Sequence, residues 1–264
     1  MRMLVCSIDG MRPDGLAKAH TPVMDRLISE GAYCANARSV MPSVTLPCHM
    51  SMLRGVEVGR HGVNTNTFHP LARPVPSVMD VAGAAGRKCG MFYNWEPLRD
   101  CSDPGSLSVS VFLHDNTSYE GDAAVAEAAC RHWQNEDLDL TFVYFGNTDS
   151  TGHKYGWMSD EYLDAISNAD RCVGRMMQEL DRLGRLSETS VLVLADHGGH
   201  ERSHGTEMEE DMTIPWMLWG PGVKPGERLS NSVRLYDTCA TVAHLLGLQQ
   251  HPEWDGQPVR EALG

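Results

Sequence analysis

Four short apolar runs, at residues 3–8, 88–93, 140–145 and 190–195, alternate with helix-length amphipathic segments along this 264-residue chain. A strand that is apolar at nearly every position cannot leave one face in water, so these runs call for cover on both sides. Helices can supply it. Thr21-Pro22 predicts an N-cap and first turn for a helix ending near Gly31. A second helix is expected over 45–53, with Pro47 in its first turn and Gly55 as its stop, and others over 77–85, 119–134 and 235–246. The most regular is 159–183, where Tyr162, Ile166, Ala169, Val173, Met176, Leu180 and Leu183 keep one apolar face, with Met177 beside it. This alternation predicts an α/β fold, a doubly wound sheet with helices on both faces. The Gly/Pro-rich stretches 68–76 and 220–226 read as surface loops rather than linkers, so residues 1–264 are expected to form a single domain.

Composition narrows the setting. No stretch approaches the ~20 apolar residues needed to span a bilayer, and residues 1–9 run straight into a strand without the marks of a signal peptide. The eight cysteines are scattered without a C-x-x-C, which fits reduced, buried thiols and a cytoplasmic location. A net charge of −13 with no basic cluster argues against binding a nucleic-acid duplex. It does not exclude a small phosphate ester drawn to bound cations.

The chemistry-bearing residues follow the strands. Asp9 comes after the first run, Asp149 and His153 after the third, Asp196 and His197 after the fourth, and His204 lies a little further on in SHGT. Ligands in doubly wound sheets gather beyond the carboxyl ends of strands, so the three acids are expected at one rim. Asp149 and His153, four apart, can be aimed at one ion by a helical turn or tight loop. Asp196 and His197 would diverge on a regular strand and can share an ion only where the strand has ended, which Gly198-Gly199 allows. Three carboxylates and three imidazoles without thiolate suit two divalent cations, zinc first, with manganese or iron as alternatives. Two such ions ~4 Å apart can stabilise the attacking and leaving oxygens of an in-line displacement. Thr45 in PSVTLPCH has two readings. It is either a helix N-cap or a nucleophile activated by a cation at a phosphate-attracting helix start.

The segments SIDGMRPD, MPSVTLPCH, HGVNTN, TDSTGH, ADHGGH and SHGT, in this order between residues 4 and 206, resemble the alkaline phosphatase superfamily. The resemblance is strongest to its type I phosphodiesterase/nucleotide pyrophosphatase branch. It implies a compact alkaline phosphatase-like domain, here without a large cap domain, and Thr45 as the nucleophile of a phospho-threonine intermediate. One metal would be held by Asp9, Thr45, Asp196 and His197, and the other by Asp149, His153 and His204. Asn66 matches the asparagine that binds a phosphoryl oxygen together with the nucleophile's backbone N–H. Two departures stand out. Only six residues separate His197 from His204, where the family's diesterases carry a long insertion, and Cys48 replaces the usual asparagine.

The expected activity is hydrolysis of a small phosphoric ester, possibly a nucleotide, of phosphodiesterase or nucleotide-pyrophosphatase type. A phosphomonoesterase, phosphonate hydrolase or phosphomutase on the same core is the alternative, and a non-catalytic metal-binding protein a further one. A sulfatase lacks support, because the C/S-x-P-x-R signature is missing. Arg12 and Arg54 are the arginines near enough in sequence to clamp a monoester. His200 reads as a solvent-facing loop histidine, His49 as a buttress of the Thr45 loop, and His61 as packing. Tyr93 and Trp95 are rim packing or a substrate wall. Glu207, Glu209, Glu210 and Asp211 read as a solvated acidic face.

Overall fold

The strand at the N-terminus, β1 (Arg2–Ile8), is buried from Met3 to Ile8, as an all-apolar run must be. It lies in the interior of an eight-stranded sheet of order β4-β3-β5-β1-β6-β7-β2-β8. The others are β2 (Ala32–Arg38), β3 (Cys89–Tyr93), β4 (Val109–Phe112), β5 (Leu140–Phe145), β6 (Thr189–Leu194), β7 (Thr213–Trp219) and β8 (Glu227–Arg228). The computed structural model describes residues 1–231 and 233–264. Only β7 runs against the rest, pairing antiparallel with both β6 and β2. The mostly parallel, helix-covered sheet expected from the sequence is therefore the fold observed.

The helices are α1 (Pro13–Lys18), α2 (Pro22–Glu30), α3 (Thr45–Arg54), α4 (Val58–His61), α5 (Val78–Ala84), α6 (Tyr119–Asn135), α7 (Asn147–Tyr155), α8 (Asp160–Arg182), α9 (Glu209–Met212) and α10 (Asp237–Leu245). They form two layers. Helices α1, α2, α6 and α7 all pack on α8, while α3, α5 and α10 pack on one another. Helix α8 starts where Ser159 accepts a hydrogen bond from the Tyr162 N–H at 3.2 Å, and it buries Tyr162, Ile166, Ala169, Val173, Met176 and Leu180. Thr21 does occupy the N-cap of α2, but its hydroxyl turns to Asp25 at 3.3 Å instead of capping.

Strands β2, β4, β7 and β8 and helix α7 were not expected as such. In β7, Pro215 hides the strand pattern, because proline cannot donate to a ladder. The sheet accommodates it with a register shift in β2 between Cys34, opposite Trp216, and Ala37, opposite Ile214. Among the described residues no helix is long and apolar enough to cross a membrane.

Candidate active site

Three parallel strands, β5, β1 and β6, end side by side, with Ile8 paired to Phe145 and Ser7 to Leu194. Asp9 follows at once. Gly10 then turns with φ +68°, and a Cβ there would lie 3.2 Å from the Asp149 Cα, so a side chain has neither the backbone region nor the room. Its N–H donates to Asp196 Oδ1 at 3.2 Å. Because β6 stops at Leu194, Asp196 and His197 have left the pleat and converge. His197 Nε2 is 3.2 Å from Asp9 Oδ1 and 3.4 Å from Asp196 Oδ2. Asp149 and His153 sit one turn apart on α7, 3.5 Å between Oδ1 and Nε2. His204 Nε2 joins them, 3.6 Å from Asp149 Oδ1 and 3.2 Å from His153 Nε2.

Thr45 is the first residue of α3, not its cap. Val44 holds the N-cap position in extended conformation, with no side-chain cap. The Thr45 hydroxyl is thereby free of the helix and lies 3.4 Å from Asp9 Oδ2 and 3.3 Å from His197 Nε2. Its N–H is among those a helix start leaves without an internal acceptor. Asn66 arrives from the loop after α4 and accepts from the Leu46 N–H at 2.9 Å, which leaves its amide nitrogen as a donor beside the helix start.

These distances test whether cations fit. Four ligands about 2.0–2.1 Å from a tetrahedral ion stand about 3.3 Å from one another. His197 lies 3.2–3.4 Å from Asp9, Asp196 and Thr45, and Thr45 lies 3.4 Å from Asp9, which matches that spacing. The contacts among Asp149, His153 and His204, at 3.2–3.6 Å, come close to it. Donor atoms of Asp149, His197 and His204 also fall within 4.8 Å of one another, so His197 stands between the two clusters. Asp9 Oδ1, Asp149 Oδ1 and Asp196 Oδ2 are buried without a hydrogen-bond partner. Three orphaned carboxylate oxygens facing one another are costly unless positive charge lies between them. The histidines are set to receive it. Nδ1 of His153, His197 and His204 faces the carbonyl of Arg202, Gly198 and Ser43 at 2.9, 2.8 and 2.8 Å. A carbonyl only accepts, so each ring donates from Nδ1 and can present an Nε2 lone pair to the centre. These groups could hold two divalent cations.

Protonation without cations reflects the same crowding. Burial, then Asp9, pushes the Asp149 and Asp196 carboxyls well above the usual range. Burial works against charge on His197, but Asp196 and Asp9 outweigh it and raise the imidazolium to about 10. Burial, then the His197 charge, lowers His204 to about 4.

The supporting residues were only partly foreseen. His49 is fully buried, with Nε2 on Ser7 Oγ at 2.9 Å and Nδ1 on the Thr45 carbonyl at 2.8 Å, the expected buttress. His61 packs against Ser51 at 3.0 Å, also as expected. Tyr144, unremarked in the sequence, donates to Asp9 Oδ2. Trp157 was missed as well. Its Nε1 donates to the Gly10 carbonyl at 2.9 Å, and its ring lies 5.1 Å from His153 and 5.9 Å from His204. The available signal was two glycines: a Cβ on Gly152 or Gly199 would come within 2.8 or 2.2 Å of that indole.

Two readings are corrected. His200 is not simply solvent-facing, since its Nδ1 meets Asp211 Oδ1 at 2.7 Å. Asp211 does not belong to a solvated acidic face; it is fully buried. Tyr93 is buried with its hydroxyl 3.2 Å from Ser110 Oγ, and Trp95 is half-buried against the core. Cys48 is buried beside Ser39 Oγ at 3.3 Å, a local packing change. Neither arginine is available as a clamp. Arg12 is engaged by Asp14 and the Gly199 carbonyl, and Arg54 is buried against the Val75 carbonyl and Asp80.

A mostly parallel sheet with acids and imidazoles beyond its central strands is the alkaline phosphatase architecture, and comparison with solved structures bears this out. Mouse ectonucleotide pyrophosphatase/phosphodiesterase 5, as an inactive variant in complex with AMP, superposes with a TM-score of 0.84 at 17% identity, covering 100% of both chains. A phosphonate monoester hydrolase of Agrobacterium radiobacter superposes at 0.81 and 15% identity, over 99% of this chain and 77% of that one. At such identities these likenesses establish the fold alone. The type I phosphodiesterase / nucleotide pyrophosphatase family model matches residues 3–100 and 76–221, and the chain belongs to that family. Ectonucleotide pyrophosphatase/phosphodiesterase family member 7 of Rattus norvegicus is 26% identical over 223 residues, 75% of this chain and 49% of that protein. The bis(5'-adenosyl)-triphosphatase ENPP4 of Pongo abelii is 23% identical over 236 residues, 81% of this chain and 51% of that protein. The chain thus spans about half the length of these curated relatives.

Proposed function

We propose that this chain is a two-metal hydrolase of phosphodiesters that works through a phospho-threonine on Thr45. The observation that carries the reading is the Thr45 hydroxyl, first in its helix and within 3.4 Å of both Asp9 and His197. Two divalent cations, zinc first among the candidates, would supply positive charge that ionises this hydroxyl and offsets charge on the phosphoryl oxygens. Asp9, Asp196 and His197 would hold the one beside Thr45, and Asp149, His153 and His204 the other.

In the first step Thr45 Oγ1, its proton given up to solvent, bonds to phosphorus as the ester bond to the leaving alcohol breaks. The leaving oxygen takes up a proton from solvent, and Asp9 Oδ2, 3.4 Å from Oγ1, helps to orient the nucleophile. The Thr45 N–H and the Asn66 amide are the donors for a non-bridging oxygen. In the second step water adds to phosphorus, the bond to Thr45 breaks, and the hydroxyl regains a proton. Before Thr45 ionises, three carboxylates against two divalent cations leave one net positive charge, which suits a singly charged diester. A doubly charged monoester needs more, and Arg12 and Arg54 are engaged elsewhere. The AMP bound to the mouse structure and the dinucleotide name of the Pongo abelii relative make nucleotide diesters the first substrates to try. We also read the sheet and its helices as one catalytic domain. Its eight free, buried thiols favour a reducing compartment.

The test compares wild type with Thr45→Ala on bis-aryl phosphate, mono-aryl phosphate and an aryl phosphonate monoester, with zinc present. Expected are a preference for monoanionic esters and a loss of at least about a thousandfold in the variant, since removal of a nucleophile leaves little but binding. Near-wild-type turnover by Thr45→Ala would overturn the reading.

A further inference from the structure

The short connection between His197 and His204 is a built object. His200 and Ser203 exchange both backbone hydrogen bonds at 2.9 Å, making a hairpin whose tip is Glu201 and Arg202. Both tip carbonyls point at the end of α7: that of Glu201 accepts the Trp157 N–H at 2.8 Å, and that of Arg202 meets His153 Nδ1 at 2.9 Å. The hairpin therefore holds His153 from outside while carrying His204 itself. Its own anchor is Asp211. One carboxylate oxygen meets His200 Nδ1 at 2.7 Å, and the other accepts from the N–H and hydroxyl of Thr206 at 2.9 and 2.7 Å. The backbone adds bonds from Gly198 N–H to the Asp211 carbonyl at 2.8 Å and from Gly199 N–H to that of Glu210 at 2.9 Å.

We propose that Asp211, acting through His200 and Thr206, is a positioning residue for the cluster of Asp149, His153 and His204. A fully buried carboxylate with three donors brackets both ends of the segment, and that bracket sets the 3.2 Å separation of the His153 and His204 Nε2 atoms. The proposal rests on the two-cation reading above. Toward the cluster formed by Asp9, Asp196 and His197, Asp211 offers its main chain, whose carbonyl accepts from Gly198 N–H; substitution of the side chain leaves that bond in place, so the two clusters respond differently to loss of the carboxylate.

The experiment titrates metal-free protein with Zn²⁺ by calorimetry, using His153→Ala to identify the binding phase of the second cluster. Asp211→Asn and His200→Ala are expected to weaken that phase by about 10–100-fold, the range for residues that orient a ligand, and to leave the other phase within about threefold. His200→Asn returns a donor near the Nδ1 position and is expected to restore most of the affinity. Equal weakening of both phases, no weakening of either, or no rescue by His200→Asn would each overturn the proposal. If Asp211→Asn does not fold, the His200 pair decides alone. Hydrolysis is not the readout, so failure here with two Zn²⁺ bound by wild type leaves the Thr45 reading standing. Fewer than two Zn²⁺ in wild type overturns both.

Discussion

Asp122, in the first turn of α6, is a fully buried carboxyl that takes no part in the chemistry above. Asn94 Nδ2 donates to its Oδ1 at 2.8 Å, as does the Asn147 N–H at 3.4 Å, while its Oδ2 has no partner. Burial outweighs those donors and raises the group from an ordinary 3.8 to about 7. The folded state thus keeps a proton that the unfolded chain has released. Its contribution to stability is fully present below the unfolded value and is lost as pH rises through about 7. At about 1.4 kcal/mol per unit, wild type should lose about 2–3 kcal/mol relative to Asp122→Asn between about pH 5 and about pH 8. The asparagine stays neutral throughout and serves as the reference. The assay is denaturant unfolding of both proteins, metal-loaded, at several pH values, so that other titrating groups cancel in the difference. A difference that stays flat across this window would refute the reasoning, because it would mean the carboxyl is ionised in the fold despite its burial.

Three further outcomes are expected. Asn66→Ala should lower kcat/KM on a diester by about a hundredfold, as loss of one oxyanion donor does, with zinc stoichiometry unchanged; metal analysis beside kinetics checks it. Metal-free protein holds a proton on His197, raised to about 10, so zinc binding near neutral pH should release protons. Calorimetry in buffers of different ionisation heat reads that release, and a heat independent of buffer would contradict it. Trp157→Ala should destabilise the fold by about 3–5 kcal/mol, since it empties the space that Gly152 and Gly199 leave for the indole. Unfolding midpoints measure this.

Residues with strong local signals were legible from the chain alone. The buried strands around Asp9, Asp149 and Asp196 declare themselves by continuous apolar runs, and α8 by an unbroken face. The edge strand β4 has a half-exposed, alternating pattern, and β7 carries Pro215 in its middle, so neither stands out from composition. At the site, the sequence names the groups that would touch an ion, because their types and order are chemically restrictive. It does not name the groups that aim them. Tyr144, Trp157 and Asp211 are ordinary residues whose importance lies in a neighbour that folding brings from far along the chain. Asp211 in particular sits in an acidic run, where burial of one member and exposure of Glu209 cannot be told apart by composition.

The place of β1 in the sheet has a consequence for biosynthesis. Met3 pairs with Leu140 on one side and with Ser190 on the other. Strand β1 leaves the ribosome before either neighbour and is completed only with β6, which follows it by about 10–40 s at about 5–20 residues per second. Until β5 emerges this nearly all-apolar segment has no native ladder to join, and until β6 emerges it has one on a single side. Such a chain is expected to draw on chaperones during synthesis. A circular permutant that starts between β2 and α3 and so delivers β1 after β6 should relieve that demand.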